Sequence, residues 1–110
     1  KELINKINQF GGKIRETYGV PIEEIKEGIK NGVRKINVDT DLRLAFTAAV
    51  REYLSSNPDS FDPRKYLLVS KNAMKDIVKN RLIEFGSANQ ASNISPISLK
   101  KMSKRYNNSF

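Results

Sequence analysis

Apolar residues recur at helical spacing along most of this 110-residue chain, and Gly, Pro and small polar clusters punctuate them. Leu3, Ile4 and Ile7 share one face of a segment over residues 1–9 that Gly11 and Gly12 stop. Residues 13–19 carry no period and read as a loop. In VPIEEIKEGIKNG, Pro21 suits a first helical turn, Glu23 and Glu24 complement its dipole, and Ile22, Ile25 and Ile29 repeat at helical spacing up to Asn31-Gly32. From Asp41, the residues Leu42, Ala45, Phe46, Ala49, Val50 and Tyr53 make a stripe that ends at SSNPDS. Thr40 is the expected N-cap of this helix, and Asp41 favours its dipole. Asp62-Pro63 marks a further start, and Leu67, Met74, Ile77, Val78, Leu82 and Phe85 describe one long helix over 65–85, closed by Gly86. SANQASNIS is a polar loop, after which Ser98 caps a short helix with Leu99, Met102 and Tyr106.

One stretch breaks the helical rhythm. VRKINV, residues 33–38, follows a Gly stop and is too short for a helix of its own, so its pattern predicts a strand. Alternation along a strand would put Ile36 and Val38 on one face and Lys35 and Asn37, with Asp39 beyond, on the other. One strand cannot make a sheet. It must pair with strands this chain does not supply, or with a second copy. Its polar end, NVDTD, runs straight into a helix start, the arrangement by which a (β/α)₈ barrel presents a phosphate to backbone N–H groups; the plain alternative is an Asx turn with an N-cap.

Composition narrows the chemistry. With no cysteine and no histidine, the chain has no thiolate, no disulfide, no imidazole base and none of the usual nitrogen or sulfur ligands of zinc. No apolar run approaches a membrane span and no signal-peptide pattern stands at the N-terminus, so a cytoplasmic location is expected. The 20 Lys plus Arg against 12 Asp plus Glu give a net charge of +8, which raises the question of a polyanionic partner. Most basic residues alternate with acids, however. Only Lys100, Lys101, Lys104 and Arg105 cluster, with Tyr106 as their one aromatic neighbour, so neither nucleic acid nor membrane is an expected partner.

Several segments carry a resemblance in order: GVPIEEIKEGIKNGVRKINVDTDLRLAFTAAVREYL, NPDSFDPRKYL, AMKDIVKNRLIEFGSANQAS and ISLKKMSKRY. Together they resemble the C-terminal third of a class II, metal-dependent fructose-1,6-bisphosphate aldolase, and the INQFGGKIRETYGV segment resembles that found in one variety of the family. The fold class this implies is α/β. Residues 1–110 would be the C-terminal fragment of one TIM-barrel domain, with 1–56 its last βα portion and 57–110 a helical extension, mostly helical when taken alone. A whole barrel of this type needs about 250 residues or more.

The resemblance implies reversible cleavage of fructose 1,6-bisphosphate into dihydroxyacetone phosphate and glyceraldehyde 3-phosphate, with a zinc ion as Lewis acid. It implies that Asn37 hydrogen-bonds the dihydroxyacetone part of the substrate, and that Asp39 and Thr40 help form the pocket for its phosphate. Asp39 would orient N–H donors, meet a substrate hydroxyl or help hold a monovalent cation. Arg64, in DPRKYL, would reach the second phosphate from the neighbouring subunit of a homodimer or higher homo-oligomer, its fork suited to phosphate oxygens; otherwise it is a surface charge on a helix. The zinc ligands and the catalytic acid of the family fall upstream of Lys1. The chain would then supply part of a substrate site and no catalytic centre, inactive alone and enzymatic when joined to the rest of the barrel. The alternative is a non-catalytic helical interaction module that dimerises through the long helix. An isolated copy is expected to expose Ile36, Val38 and an open strand edge.

Overall fold

The computed structural model describes residues 1–17 and 19–107; Tyr18, within the loop expected over 13–19, lies outside them. Five α-helices form among the described residues: α1 (Glu2–Gln9), α2 (Ile22–Lys30), α3 (Thr40–Ser56), α4 (Pro63–Glu84) and α5 (Leu99–Asn107), with a 3₁₀ turn at Ala91–Asn93 inside the polar loop. α3 packs along α4 and α1 packs on α3. Ion pairing between Asp41 at the start of α3 and Arg81 near the end of α4 shows that these two helices run antiparallel. Ile4 and Ile7 of α1, Ala45 and Ala48 of α3 and Ser70 of α4 are buried. Small side chains at buried positions let helix axes approach closely. Ser70 satisfies its hydroxyl within its own helix, donating to the Tyr66 carbonyl at 2.8 Å.

Local chemistry accounts for the element ends. Gly12 closes the turn after α1, its N–H donating to the Ile7 carbonyl at 2.9 Å. A Cβ there would stand 2.5 Å from Ile7 Cγ2 and 2.7 Å from the Ile7 oxygen, so only glycine fits. Asn8 then pins the loop, its side-chain amide exchanging two hydrogen bonds with the backbone of Ile14 at 2.8 and 3.0 Å. Lys6 bonds Glu52 at 2.6 Å and Arg51 donates to the Phe10 carbonyl at 3.3 Å, tying α1 to the second half of α3. Asp62 caps α4, and past its end Gly86 adopts φ +73°, the left-handed turn that lets Ser87 and Ala88 N–H reach back to the Leu82 carbonyl at 2.8 and 3.0 Å. Ser98 Oγ accepts the Lys101 N–H at 3.3 Å, the cap expected for α5.

Three expectations need correction. Pro21 has ψ 142°, extended rather than helical, so it stands at the N-cap and α2 begins at Ile22. Thr40 is the first residue of α3, not its cap; the cap position belongs to Asp39, whose carbonyl accepts the Arg43 N–H at 3.0 Å. No strand forms among the described residues, because residues 33–38 have no neighbouring strand to bond. The alternation predicted for them survives: Ile36 and Val38 are half-buried, while Lys35, Asn37 and Asp39 are exposed.

The chain is elongated, 59 × 33 × 29 Å, with a radius of gyration of 19.4 Å, against about 13 Å for a compact domain of this length. Its accessible surface is 9177 Å², where a folded monomer of this mass leaves roughly 6,200 Å². Apolar side chains contribute to the excess. Leu67, Leu68, Val78, Leu82 and Ile83 of α4 are all exposed.

Candidate functional site

Residues 36–41 leave the extended segment and enter α3 along one wall of a cleft of about 360 Å³. Asn37, Asp39 and Thr40 all line it, together with Asp41, Leu44 and Arg81. Asn37 receives a hydrogen bond from the Lys35 ammonium at its Oδ1, the contact that same-face neighbours on an extended backbone make. Thr40 stands at the first turn of α3, where N–H groups have no acceptor within the helix. The Asp39 carboxylate does not serve them: it turns away and accepts from Arg43 Nε at 2.9 Å.

Two carboxylates at the mouth of an anion pocket would repel the anion. Here each has a guanidinium against it, Asp39 with Arg43 and Asp41 with Arg81 Nη2 at 2.6 Å. Hydrogen bonding to Asp41, then to Glu84, raises the Arg81 pKa above its ordinary value against the opposing pull of partial burial. Beside these two pairs, among apolar side chains, the cleft is lined by the Asn37 carboxamide, the Thr40 and Thr17 hydroxyls, Lys1 and the positive end of α3. Those groups donate to a phosphate or a polyhydroxyl compound. An apolar groove of about 420 Å³ lies alongside, lined by Ile29, Val33, Val78 and Leu82, and Ile36, Val38, Arg81 and Phe85 border both spaces.

Arg64 is not brought into this cluster. It stands at the opposite end of the α3–α4 pair, separated from Thr40 by the length of α3, 17 residues or about 25 Å at the α-helical rise. Its side chain is 89% exposed, held against Asp62 with Nη2–Oδ2 at 2.8 Å. Arg81, by contrast, was not singled out by the sequence. It lies forty residues from its partner Asp41, and no local spacing marks the pair.

Zinc does not fit the residues present. The chain has neither histidine nor cysteine, and no group of three or more carboxylates among the described residues could hold a metal ion. A monovalent cation at Asp39 would compete with the guanidinium already on it. No helix among the described residues is long and apolar enough to cross a membrane. The basic residues of α5 are exposed and, among the described residues of that helix, Tyr106 is the one aromatic beside them.

Residues 14–90 match the family model of class-II fructose-bisphosphate aldolase. Over 106 residues the chain is 58% identical to the fructose-bisphosphate aldolase of Stutzerimonas stutzeri, covering 96% of this chain and 30% of that protein. It is 60% identical over 100 residues to the protein of the same name from Pseudomonas aeruginosa, covering 91% and 28%. The Nostoc sp. aldolase is 53% identical over 106 residues, again 96% of this chain and 30% of the relative. The chain thus spans about three tenths of the length of the curated relatives it matches.

Proposed function

Because the chain belongs to the class-II fructose-bisphosphate aldolase family, we propose that it supplies the substrate phosphate-binding part of an aldolase that cleaves fructose 1,6-bisphosphate reversibly to dihydroxyacetone phosphate and glyceraldehyde 3-phosphate. In the whole barrel, residues 33–38 pair with the other strands as its last one, residues 1–56 are the last βα portion and 57–110 the helical extension. One observation carries this reading: Asn37, Thr40 and the first turn of α3 share a cleft whose two carboxylates are both paired with arginine.

In this role Asn37 hydrogen-bonds the hydroxyl and carbonyl oxygens of the dihydroxyacetone half, fixing its orientation for bond cleavage. Thr40 holds the adjoining phosphate through its hydroxyl and the N–H groups of the first turn. Its pairing with Arg43 favours an orienting task for Asp39 over cation binding. Arg64, exposed and distant from the cleft, serves the second phosphate of a neighbouring copy in a homo-oligomer, where two parallel hydrogen bonds from its fork replace those to Asp62. The family's metal, zinc in this reading, is ligated by residues outside this chain. The setting is cytoplasmic.

The test joins this chain to the remaining part of the Stutzerimonas stutzeri relative in place of the matching segment. Metal-dependent cleavage of fructose 1,6-bisphosphate is expected. A folded, metal-loaded fusion without it would overturn the assignment. The exposed apolar residues of α4 favour a second reading, a helical dimerisation module. A stable dimer of the isolated chain, together with an inactive fusion, would establish that one.

A further inference from the structure

Arg81 joins two elements that the chain separates by forty residues. Its Nη2 lies 2.6 Å and its Nε 3.3 Å from Asp41 Oδ2, while Nη1 is taken by Glu84 one turn further along α4. The side chain is 19% exposed, against 78% for Arg43 and 89% for Arg64 in their ion pairs. A guanidinium so withdrawn from water, with a carboxylate on each side, has few other places to go. Asp41 follows Thr40 directly in the first turn of α3, so whatever fixes Asp41 fixes the direction of that turn. Arg81 also lines the cleft with Asn37, Asp39 and Thr40.

Resting on the reading of residues 37–40 as a sugar-phosphate pocket, we infer that Arg81 is a positioning residue for that pocket. By gripping Asp41 it holds the first turn of α3 against α4, aims Thr40 and the first-turn N–H groups at the phosphate, and offsets the Asp41 charge that would repel it. Arg81 itself does not touch the substrate. Glu84 supports the geometry by occupying the outer limb of the guanidinium.

The experiment uses the active fusion described above, with Arg81→Met, Arg81→Lys, Asp41→Ala and the double variant R81M/D41A. The readouts are KM for fructose 1,6-bisphosphate, kcat, inhibition by inorganic phosphate, and thermal midpoint. For Arg81→Met, KM and the phosphate inhibition constant should each rise about tenfold, the usual scale for a residue that orients a ligand-binding group, while kcat falls much less. Arg81→Lys keeps the charge beside Asp41 without the fork and should recover part of the loss. The double variant should lose no more than Arg81→Met, because both changes break one contact. Unaltered KM and phosphate inhibition in Arg81→Met would overturn the inference, as would a loss confined to thermal midpoint and active fraction. If Arg81→Met does not fold, Arg81→Lys and Asp41→Ala decide it by the same phosphate readout. Asn37→Ala separates the two levels: unchanged kinetics there would sink the pocket reading itself, whereas an impaired Asn37→Ala beside an unimpaired Arg81→Met would sink only the role of Arg81.

Discussion

One carboxylate serves two purposes at the start of α4: Asp62 Oδ1 accepts the Arg64 backbone N–H at 3.0 Å, and the same group grips the Arg64 guanidinium, with Nη2–Oδ2 at 2.8 Å. The first bond caps the helix and the second parks the arginine. Both lower the Asp62 pKa below its ordinary 3.8, the side-chain bond to Arg64 contributing most and the backbone bond next.

A depressed carboxylate pKa stabilises the fold above the unfolded value and loses that contribution as pH falls through the folded one. The first turn of α4 should therefore be fully capped at neutral pH and begin to fray only below about pH 4. Amide exchange at Arg64 followed from pH 6 to pH 2 measures this. Asp62→Ala should show the faster exchange at neutral pH, with the difference from the parent shrinking as pH falls towards 2, and Asp62→Asn, which retains a capping oxygen, should resemble the parent at neutral pH.

Arg64→Ala in the active fusion should weaken the bisphosphate about 10- to 100-fold, the scale of charge-assisted hydrogen bonds. Binding of dihydroxyacetone phosphate should change little. Competition assays with both ligands give the comparison, and equal losses would contradict a role at the second phosphate.

Asn37→Ala should lower turnover about tenfold or more, since a misoriented substrate loses the benefit of alignment. Bound metal, measured by elemental analysis, should stay at the parent level. Wild-type turnover would remove Asn37 from the site.

Ala48 of α3 is 2% exposed and lines a cleft with Leu3 and Lys6 of α1 and Val69 and Ala73 of α4. Ala48→Leu adds three carbons at a position buried between helices, where they force neighbouring side chains or the helices themselves to shift, and should cost about 1–3 kcal/mol. Thermal or urea unfolding of the fusion reads this directly. A neutral result would mean that the two helices can separate without loss.

The isolated chain should self-associate. Its surface exceeds that of a compact monomer, and Leu67, Leu68, Val78, Leu82 and Ile83 stand open on one helix. Sedimentation velocity across a tenfold concentration range should show a rising average mass. A sharp cooperative melt of monomer at every concentration would count against it.

The helices were legible because their causes are local. The spacing of Ile22, Ile25 and Ile29, the Asp62-Pro63 start, the Ser98 cap and the Gly86 stop each act within one or two turns, and each stands in the structure where the sequence placed it. The NVDTD junction was legible for the same reason, apart from the one-residue displacement of the cap from Thr40 to Asp39, which the Asp39 carbonyl decides by accepting from Arg43. A strand is different: residues 33–38 carry the alternation of one, but a ladder is a property of two segments, and no second strand forms among the described residues. Likewise the sequence shows Asp41 and Arg81 only as charges at two helix ends. Their ion pair exists because α3 and α4 fold back antiparallel through small buried residues, which brings positions forty apart to 2.6 Å. Only likeness to a family marks Arg64 as a phosphate ligand, and its distance from the cleft follows from how that hairpin packs. Short-range patterns fix where helices begin and end; which charges meet across them is set by how the helices pack.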